Sequence, residues 1–301
     1  MAADDGSYRD LHGVVPILLT PFDDDGAIDE ASLRNEVEWT IEARVHGLGI
    51  ALGSEVYKLT ESERDRVTAI VVDQARDRLP VVVNTGAAAT DLAIHYSRRA
   101  EALGAAGLMC SPPGVGFSGS EILAYFAGIS AVVGIPIVLQ DTAATPVGAA
   151  LIREIGETCE RVRYAKVESV PPAIQVGRAV AAVGDTMRVF GGAGGGQFIE
   201  ELRRGSIGTM PFPSTARAFV TVWDHWHAGD IDGAWATFDA EIAPLLRISI
   251  GSLGAAHRIH KEVLRRQGVI RSAFVRSPAD PLDAVTAAEL AEVCDRLGWT
   301  A

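Results

Sequence analysis

Eight short apolar runs recur along the chain, and a helix-like segment follows each one. The runs begin near residues 13, 48, 80, 107, 136, 162, 187 and 206. Such alternation is typical of repeated βα units that build a parallel sheet. The runs are continuously apolar, which indicates strands buried on both faces. This pattern predicts a closed (β/α)8 barrel, and an open doubly wound sheet is the alternative.

Two further features favour the barrel. The turn after the first run, Thr20-Pro21-Phe22, lacks the GxGxxG fingerprint of dinucleotide-binding open sheets. After the last run, which we place at residues 206–212, the chain continues as helix-like segments without another strand. The first such segment completes the barrel, and the remaining three predict a C-terminal three-helix extension. We therefore predict a catalytic barrel over residues 11–229 and a helical extension over residues 230–301.

Composition excludes several classes of partner. The chain has 301 residues, is 48% hydrophobic and carries a net charge of −12, which argues against nucleic acid and anionic membranes as partners. Cys110, Cys159 and Cys294 are far apart and form no CxxC pair, as is typical of a reducing compartment. Residues 1–10 are polar and predict a loose leader without a signal peptide. No apolar run reaches membrane-spanning length, and we predict a cytoplasmic protein.

Lys166 lies within the sixth apolar run. Lysine is rarely buried without a partner or a purpose, and we interpret the other two lysines, Lys58 and Lys261, as lying in polar helical surroundings. Burial would lower the pKa of the Lys166 amine and make it a nucleophile toward carbonyls. The alternative is a strand-end lysine that reaches solvent. The residue alone leaves both interpretations open.

The carboxyl ends of barrel strands form the active site of such folds. Those ends carry the following residues: Thr20, Gly53, Ser54, Glu55, Thr85, Ser111, Gln140, Asp141, Lys166, Glu168, Gly191, Gly192, Thr209 and Met210. Glu168 is two residues from Lys166 and shares its face, so it is either a proton shuttle or an ion-pair partner. Residues 191–196 contain five glycines and predict either a phosphate cradle or a close backbone approach. His225 and His227 face different directions on a helix, so we predict no metal site.

The ordered strand ends resemble a known family. The matching residues are Thr20-Pro21-Phe22, Gly53-Ser54-Glu55, Asn84-Thr85-Gly86-Ala87, Pro112, Lys166 and Gly191-Gly192, and the match runs from about residue 11 to residue 297. They are similar to the dihydrodipicolinate synthase/N-acetylneuraminate lyase family of class I Schiff-base enzymes. The resemblance implies a TIM barrel, a homotetramer built as a dimer of dimers, and an imine between Lys166 and a pyruvate-like substrate.

Departures from the family pattern narrow the expected reaction. Gln140 stands where the family carries a proton-relaying tyrosine, and Pro113-Gly114 replaces the tyrosine that a neighbouring subunit donates. The arginine of the synthase is also missing after the fifth strand. Gln140-Asp141 and Lys166-Val167-Glu168 are instead similar to the 2-keto-3-deoxy-L-arabonate dehydratase branch. The resemblance thus implies dehydration of a deoxy sugar acid.

The sequence therefore predicts a lyase for a small 2-oxo acid that needs neither metal nor organic cofactor, since the imine is the electron sink. Lys166, Glu168 and Gln140 are the predicted catalytic residues. The predicted substrate-binding residues are Gly53, Ser54, Gly191, Gly192 and Met210. Three alternatives stay open: an aldol-cleaving lyase, a barrel that binds 2-oxo acids without turnover, and a phosphosugar enzyme that uses the glycine loop.

Overall fold

The structure is a computed structural model that describes residues 10–249 and 251–299. The predicted leader lies outside the described residues except for Asp10, which forms an ion pair with Arg188 and accepts a hydrogen bond of 3.0 Å from the Tyr164 hydroxyl. None of the described helices has the length and the apolar character that crossing a bilayer requires.

The described residues contain eight strands, and every strand pair with an assigned register is parallel. The strands are β1 Gly13–Val14, β2 Leu48–Ile50, β3 Val81–Asn84, β4 Gly107–Cys110, β5 Ile137–Asp141, β6 Val162–Val167, β7 Arg188–Gly191 and β8 Gly208–Thr209. Strands β1 and β8 are shorter than the apolar runs that predicted them. Pro16 and Pro211 lie within those runs, and proline has no N–H to donate to a strand ladder.

The strands follow one another in chain order and close on themselves. β2 to β7 form one sheet in the order of the chain, and β1 pairs with β8. The Ile207 amide, just before β8, donates to the Val189 carbonyl of β7 at 2.8 Å. The His46 amide, just before β2, donates to Val14 of β1 at 2.8 Å. The predicted eight-stranded barrel is therefore confirmed, and the open sheet is excluded.

Helices alternate with the strands and then continue alone. The helices are α1 Glu30–Glu42, α2 Glu61–Ala75, α3 Thr90–Ala102, α4 Gly119–Ser130, α5 Ala149–Thr158, α6 Pro172–Val183, α7 Phe198–Leu202, α8 Ala216–His227, α9 Ile231–Thr237, α10 Ala243–Ile248, α11 Leu253–Arg266 and α12 Ala284–Arg296. A π-helical turn, Phe238–Ile242, joins α9 to α10. The helices after α8 thus form three segments, as predicted for the extension.

Local signals explain where several helices begin. Thr60 and Glu63 form a capping box, in which each side chain accepts a hydrogen bond from the backbone amide of the other residue. Asp29 caps α1 by accepting a hydrogen bond from the Ser32 amide. The N-cap of α3 is Ala89, and Thr90 is the first helical residue.

The described chain divides into two compact units. The first contains residues 10–15, 46–49 and 77–210, which hold nearly all strand residues and α3 to α7. The second contains residues 16–45, 50–76, 211–249 and 251–299, with α1, α2 and α8 to α12. In the second unit, α10, α11 and α12 share an apolar cluster, whose buried members are Leu245, Ile259, Val263, Leu290 and Cys294. The predicted boundary between residues 229 and 230 stays a prediction.

Candidate active site

Lys166 and Glu168 form an ion pair at the carboxyl end of β6. Lys166 is 4% exposed, and its Nζ lies 3.1 Å from Oε1 of Glu168, whose side chain is 17% exposed. The two residues share a face because strand side chains alternate with a period of two. The alternative interpretation of Lys166, a strand-end lysine that reaches solvent, is therefore wrong. Its ammonium group meets a carboxylate within the protein and does not reach bulk solvent.

Gln140 orients the carboxylate of this pair. It is the register partner of Lys166 across β5 and β6, and its Nε2 donates to Oε2 of Glu168 at 2.7 Å. The side chain is buried, and its Oε1 has no hydrogen-bond partner among the described residues. Since a buried carbonyl oxygen without a partner is costly, this atom is available to accept a hydrogen bond from a ligand.

The backbone after β7 completes the surroundings of Glu168. The Ala193 amide donates to Oε1 of Glu168 at 2.9 Å, and Ala193 adopts a left-handed conformation with φ of 50°. Non-glycine residues in that region store strain, which is common at functional sites. A Cβ on Gly192 would lie 2.7 Å from Oε1 of Glu168, so glycine is required there to admit the carboxylate. The glycine run thus has the predicted close backbone approach.

The electrostatics keep Glu168 ionised. Burial raises the pKa of its carboxyl, but the Lys166 ammonium, the Gln140 amide and the Ala193 N–H oppose this effect. Together they hold the pKa of Glu168 below its ordinary value. At neutral pH this site therefore contains a carboxylate base beside a lysine.

Asp141 is occupied by structural contacts. Its carboxylate accepts hydrogen bonds from the Val147 amide at 2.6 Å and from the Ser169 hydroxyl at 2.5 Å. Burial raises the pKa of Asp141, although these two donors lower it. The residue therefore fixes the segment that follows β5 to the segment that follows β6.

Glu201 is a buried carboxyl of the first unit that sequence reasoning missed. It lies on α7, is fully buried, and a Cβ on Gly191 would overlap its carboxyl group. Neither carboxyl oxygen makes a hydrogen bond of ordinary geometry with a described residue. Burial, followed by the charge of Glu168, raises the pKa of Glu201 to about 8. The available signal was its position in a short helix directly after the glycine run.

The remaining predicted binding residues have the following environments. Gly53 and Ser54 belong to the second unit, where the Ser54 hydroxyl donates to the Leu18 carbonyl and its amide donates to Ala51 at 2.8 Å. Both donors of Ser54 are thus engaged by backbone carbonyls. A Cβ on Gly53 would lie 2.9 Å from the Phe212 ring, so packing alone explains this glycine. Met210 is buried at the end of the first unit. The roles of these residues in substrate binding stay predictions.

The interpretation of the other two lysines is wrong. Lys261 is completely buried in the second unit, and its Nζ lies 2.6 Å from Oε1 of Glu55. Lys58 has a side chain only 4% exposed, and its Nζ lies 2.9 Å from Oε2 of Glu55. Burial, partly opposed by Glu55, lowers the pKa of Lys261 to about 8. The signal was present, because Lys261 follows His257 by four residues and precedes Leu264 by three, on the buried face of α11.

No group of histidine, cysteine, aspartate and glutamate side chains suited to a metal ion occurs in residues 10–249 and 251–299. His225 Nδ1 lies 2.8 Å from Oδ2 of Asp230, and His227 Nδ1 lies 2.9 Å from the Trp223 carbonyl. The two rings of the HxH pair therefore have separate partners.

Comparison with protein families matches residues 10–296 to the dihydrodipicolinate synthetase family. The chain belongs to this family. It is 30% identical to an L-2-keto-3-deoxyarabonate dehydratase of Azospirillum brasilense over 95% of this chain and 94% of that protein. It is 31% identical to a 4-hydroxy-tetrahydrodipicolinate synthase of Acidithiobacillus ferrooxidans over 79% of this chain and 82% of that protein.

Solved structures of the dihydrodipicolinate synthetase family have the same fold. A dihydrodipicolinate synthase of Rhodopseudomonas palustris superposes with a TM-score of 0.88 at 26% identity, over 95% of this chain and 97% of its own. A prophage protein of E. coli K12, solved in complex with pyruvate, gives a TM-score of 0.88 at 22% identity, over 96% and 99% of the two chains. The protein is thus a TIM barrel with C-terminal helices, and family membership makes it a Schiff-base enzyme of the class I lyases and aldolases.

Proposed function

We propose that the protein dehydrates a 2-keto-3-deoxy sugar acid through an imine on Lys166. The observation that carries the proposal is the Lys166–Glu168 pair, with 3.1 Å between Nζ and Oε1, held by Gln140. A dehydratase of this type needs a nucleophilic amine and a group that takes a proton from C3 of the substrate and gives it to the departing oxygen on C4. The relationship to the Azospirillum brasilense dehydratase over 95% of this chain supports the same reaction type.

The first step is imine formation. The ammonium of Lys166 gives a proton to Glu168, and the free amine attacks the C2 ketone of the substrate. Glu168 returns that proton as the adduct loses water, which gives a protonated imine and restores the carboxylate of Glu168. Because the imine carries the positive charge that the ammonium carried before, the carboxylate keeps an electrostatic partner next to it.

The second step is elimination. Glu168 accepts a proton from C3, which the protonated imine acidifies, and the electron pair of that bond forms an enamine. The enamine expels the C4 hydroxyl, and Glu168 returns its proton to the departing oxygen, so that one water leaves. Hydrolysis of the unsaturated imine then releases the product and restores Lys166.

Gln140 gives the site its preference for a hydroxylated substrate. Its Nε2 donor is committed to Glu168, whereas its Oε1 has no described partner. A substrate hydroxyl near C4 would satisfy this acceptor, which an unsubstituted 2-oxo acid would leave buried and unpaired. An amide cannot titrate near neutral pH, so Gln140 orients groups and does not move protons.

The test is a panel of 2-keto-3-deoxy sugar acids that differ in stereochemistry, with product analysis by mass. Dehydration gives a product that keeps every carbon of the substrate and lacks one water. Retro-aldol cleavage of the same imine gives pyruvate and an aldehyde, and would replace dehydration as the function. Binding without turnover of any 2-oxo acid would favour the non-catalytic alternative. A small 2-oxo acid as ligand and a homo-oligomeric assembly remain part of the prediction.

A further inference from the structure

Glu201 is an unusual carboxyl for the interior of a protein. Its side chain is completely buried, and both of its oxygens lack a hydrogen bond of ordinary geometry to a described residue. Burial of an unpaired carboxylate is so costly that such a group holds its proton instead. The Gly192 N–H is a donor near this carboxyl, but it does not compensate for a full negative charge.

The position of Glu201 connects it to the proposed reaction. A Cβ on Gly191 would overlap the Glu201 carboxyl, and a Cβ on Gly192 would overlap the Glu168 side chain. The two carboxyl groups therefore lie against the same dipeptide. The next residue, Ala193, donates its amide to Glu168 at 2.9 Å. Any change in charge or shape at Glu201 thus acts next to the backbone that holds the proton-transfer group.

The charged residues around Glu201 explain its neutral state. Glu168 and Glu200 raise its pKa further after burial, and the charge of Lys166 only partly opposes them, which gives a value of about 8. Three arginines of the neighbouring α6 and β7 and of the turn after α7 have other partners. They are Arg178, which donates to Gln175, Arg188, which pairs with Asp10, and Arg204, which donates to the Glu200 carbonyl. Arg203, in the same turn, also interacts within the described residues. Strand β8 has no ionisable side chain.

We propose that Glu201 is a positioning residue for the Lys166–Glu168 pair. As an uncharged acid, Glu201 supports the Gly191-Gly192 backbone. When Glu201 loses its proton, its negative charge makes Lys166 a weaker nucleophile. The proposal rests on Lys166 as the imine-forming residue. An ionised Glu201 would add a second negative charge near Lys166, and negative charge favours the ammonium over the free amine. Only the free amine attacks a ketone.

The experiment compares Glu201→Gln with the wild-type protein. Glutamine has nearly the same shape as the protonated acid and stays neutral at every pH. The rate at which borohydride traps pyruvate on the protein is measured from about pH 6 to about pH 10, a range that includes the pKa of about 8 of Glu201. We expect the ratio of variant to wild-type rates to be constant below pH 7 and to rise by up to about tenfold above it.

Glu200→Gln is the matched control, because Glu200 precedes Glu201 on the same helix and is partly exposed. Its ratio to the wild type should not rise above pH 7, because Glu201 still loses its proton in this variant and the loss of the Glu200 charge only makes that proton easier to remove. A flat ratio for Glu201→Gln, or an equal rise in both variants, overturns the proposal. A purely structural role for Glu201 would change the rate by a similar factor at every pH.

Infrared difference spectroscopy provides a second test if Glu201→Gln does not fold. A buried neutral carboxylic acid has a C=O stretching band that disappears when the pH is raised past its pKa. Glu36, whose pKa burial also raises to about 8, would contribute such a band, so the measurement uses a Glu36→Gln background. Absence of the band in that background contradicts the proposal.

The same trapping experiment separates this inference from the proposed function. If pyruvate is trapped on Lys166 with the expected pH-dependent ratio but no sugar acid is dehydrated, Glu201 has its proposed role and the dehydratase function is wrong. If the adduct forms elsewhere, both proposals lose their premise.

Discussion

Lys166 differs from the other two lysines in its partners. Lys261 and Lys58 share Glu55 and also donate to the carbonyls of Phe274 and Arg276, at 2.9 and 2.6 Å. Lys166 has one carboxylate partner and no such carbonyl among the hydrogen bonds of the described residues. It is therefore the lysine that is least committed to the fold.

Lys166→Arg should abolish the borohydride-trapped adduct with pyruvate, because a guanidinium keeps the charge beside Glu168 but forms no imine. Intact mass followed by peptide mapping measures the result. In the wild type the adduct should map to Lys166. An adduct on Lys261 or Lys58, or one that survives in Lys166→Arg, would show that the assignment is wrong.

Glu168→Gln should keep the trapped pyruvate imine and lose turnover by about 10²–10⁴-fold, since general acid–base groups contribute that much. The amide keeps the shape of the side chain but neither accepts nor returns a proton. Steady-state rates with the sugar acid that the wild type dehydrates measure turnover, and trapping with pyruvate measures imine formation. Normal turnover in this variant would reduce Glu168 to an ion-pair partner.

Gln140→Tyr should not improve turnover of the native substrate. The tyrosine would restore the residue type of the family's proton relay, but it would remove the amide that donates to Glu168 at 2.7 Å. The comparison uses kcat for the sugar acid in both proteins. A large gain would identify the position as a degraded tyrosine site rather than an adapted glutamine site.

Helix α11 of the second unit places a lysine in a buried ion pair. Lys261 donates to Oε1 of Glu55 at 2.6 Å, and Glu55 adopts a left-handed conformation with φ of 58°. The helix thereby fixes the turn that follows β2. Removing one member of a buried ion pair leaves an uncompensated charge, which is more costly than the pair is stabilising.

Lys261→Met should therefore lower the free energy of unfolding by at most about 3–5 kcal/mol, because Glu55 loses one of its two lysine partners and keeps Lys58. Glu55→Gln combined with Lys261→Met should cost less than the sum of the two single changes, because Glu55→Gln alone leaves the buried ammonium of Lys261 without its carboxylate. Chemical denaturation of the four proteins gives the coupling energy. Additive effects would show that the pair does not interact energetically.

For the whole molecule, buried acids determine how stability varies with pH. Burial raises the pKa of Glu36 to about 8, despite the Leu19 amide that donates to it at 2.7 Å. Unfolding would return this carboxyl to its ordinary pKa near 4.3. Between those two values the folded state binds the proton more tightly than the unfolded chain. The protonated Glu36 thus contributes its full stabilisation below about pH 4.3. This contribution is lost as the pH rises through about 8.

Glu36→Gln should accordingly be more stable than the wild type near pH 8, by on the order of a few kcal/mol, and closer to it near pH 5. Urea denaturation at several pH values provides the measurement. Asp29→Asn serves as the control, because the Arg271 guanidinium lowers the pKa of Asp29 to about 2. The contribution of Asp29 to stability is therefore present at neutral pH and is lost as the pH falls. A difference between Glu36→Gln and wild type that does not vary with pH would show that Glu36 does not titrate in this range.

Local sequence patterns were enough to predict the barrel, the extension and the shared face of Lys166 and Glu168. These features follow from local periodicities: apolar runs repeat along the chain, and side chains two apart on a strand point the same way. Strand lengths were less predictable, because prolines shorten ladders only where a partner strand requires their N–H.

Which polar groups are buried together depends on three-dimensional packing and could not be predicted. The register of β5 against β6 brings Gln140 to Glu168, and the packing of α7 brings Glu201 to Gly191, although these residues lie far apart or in different elements. Burial of Lys261 beside Glu55 joins residues separated by 206 positions. Ionisation and hydrogen bonding depend on distance and solvent access in three dimensions, and neither quantity is encoded in local sequence spacing.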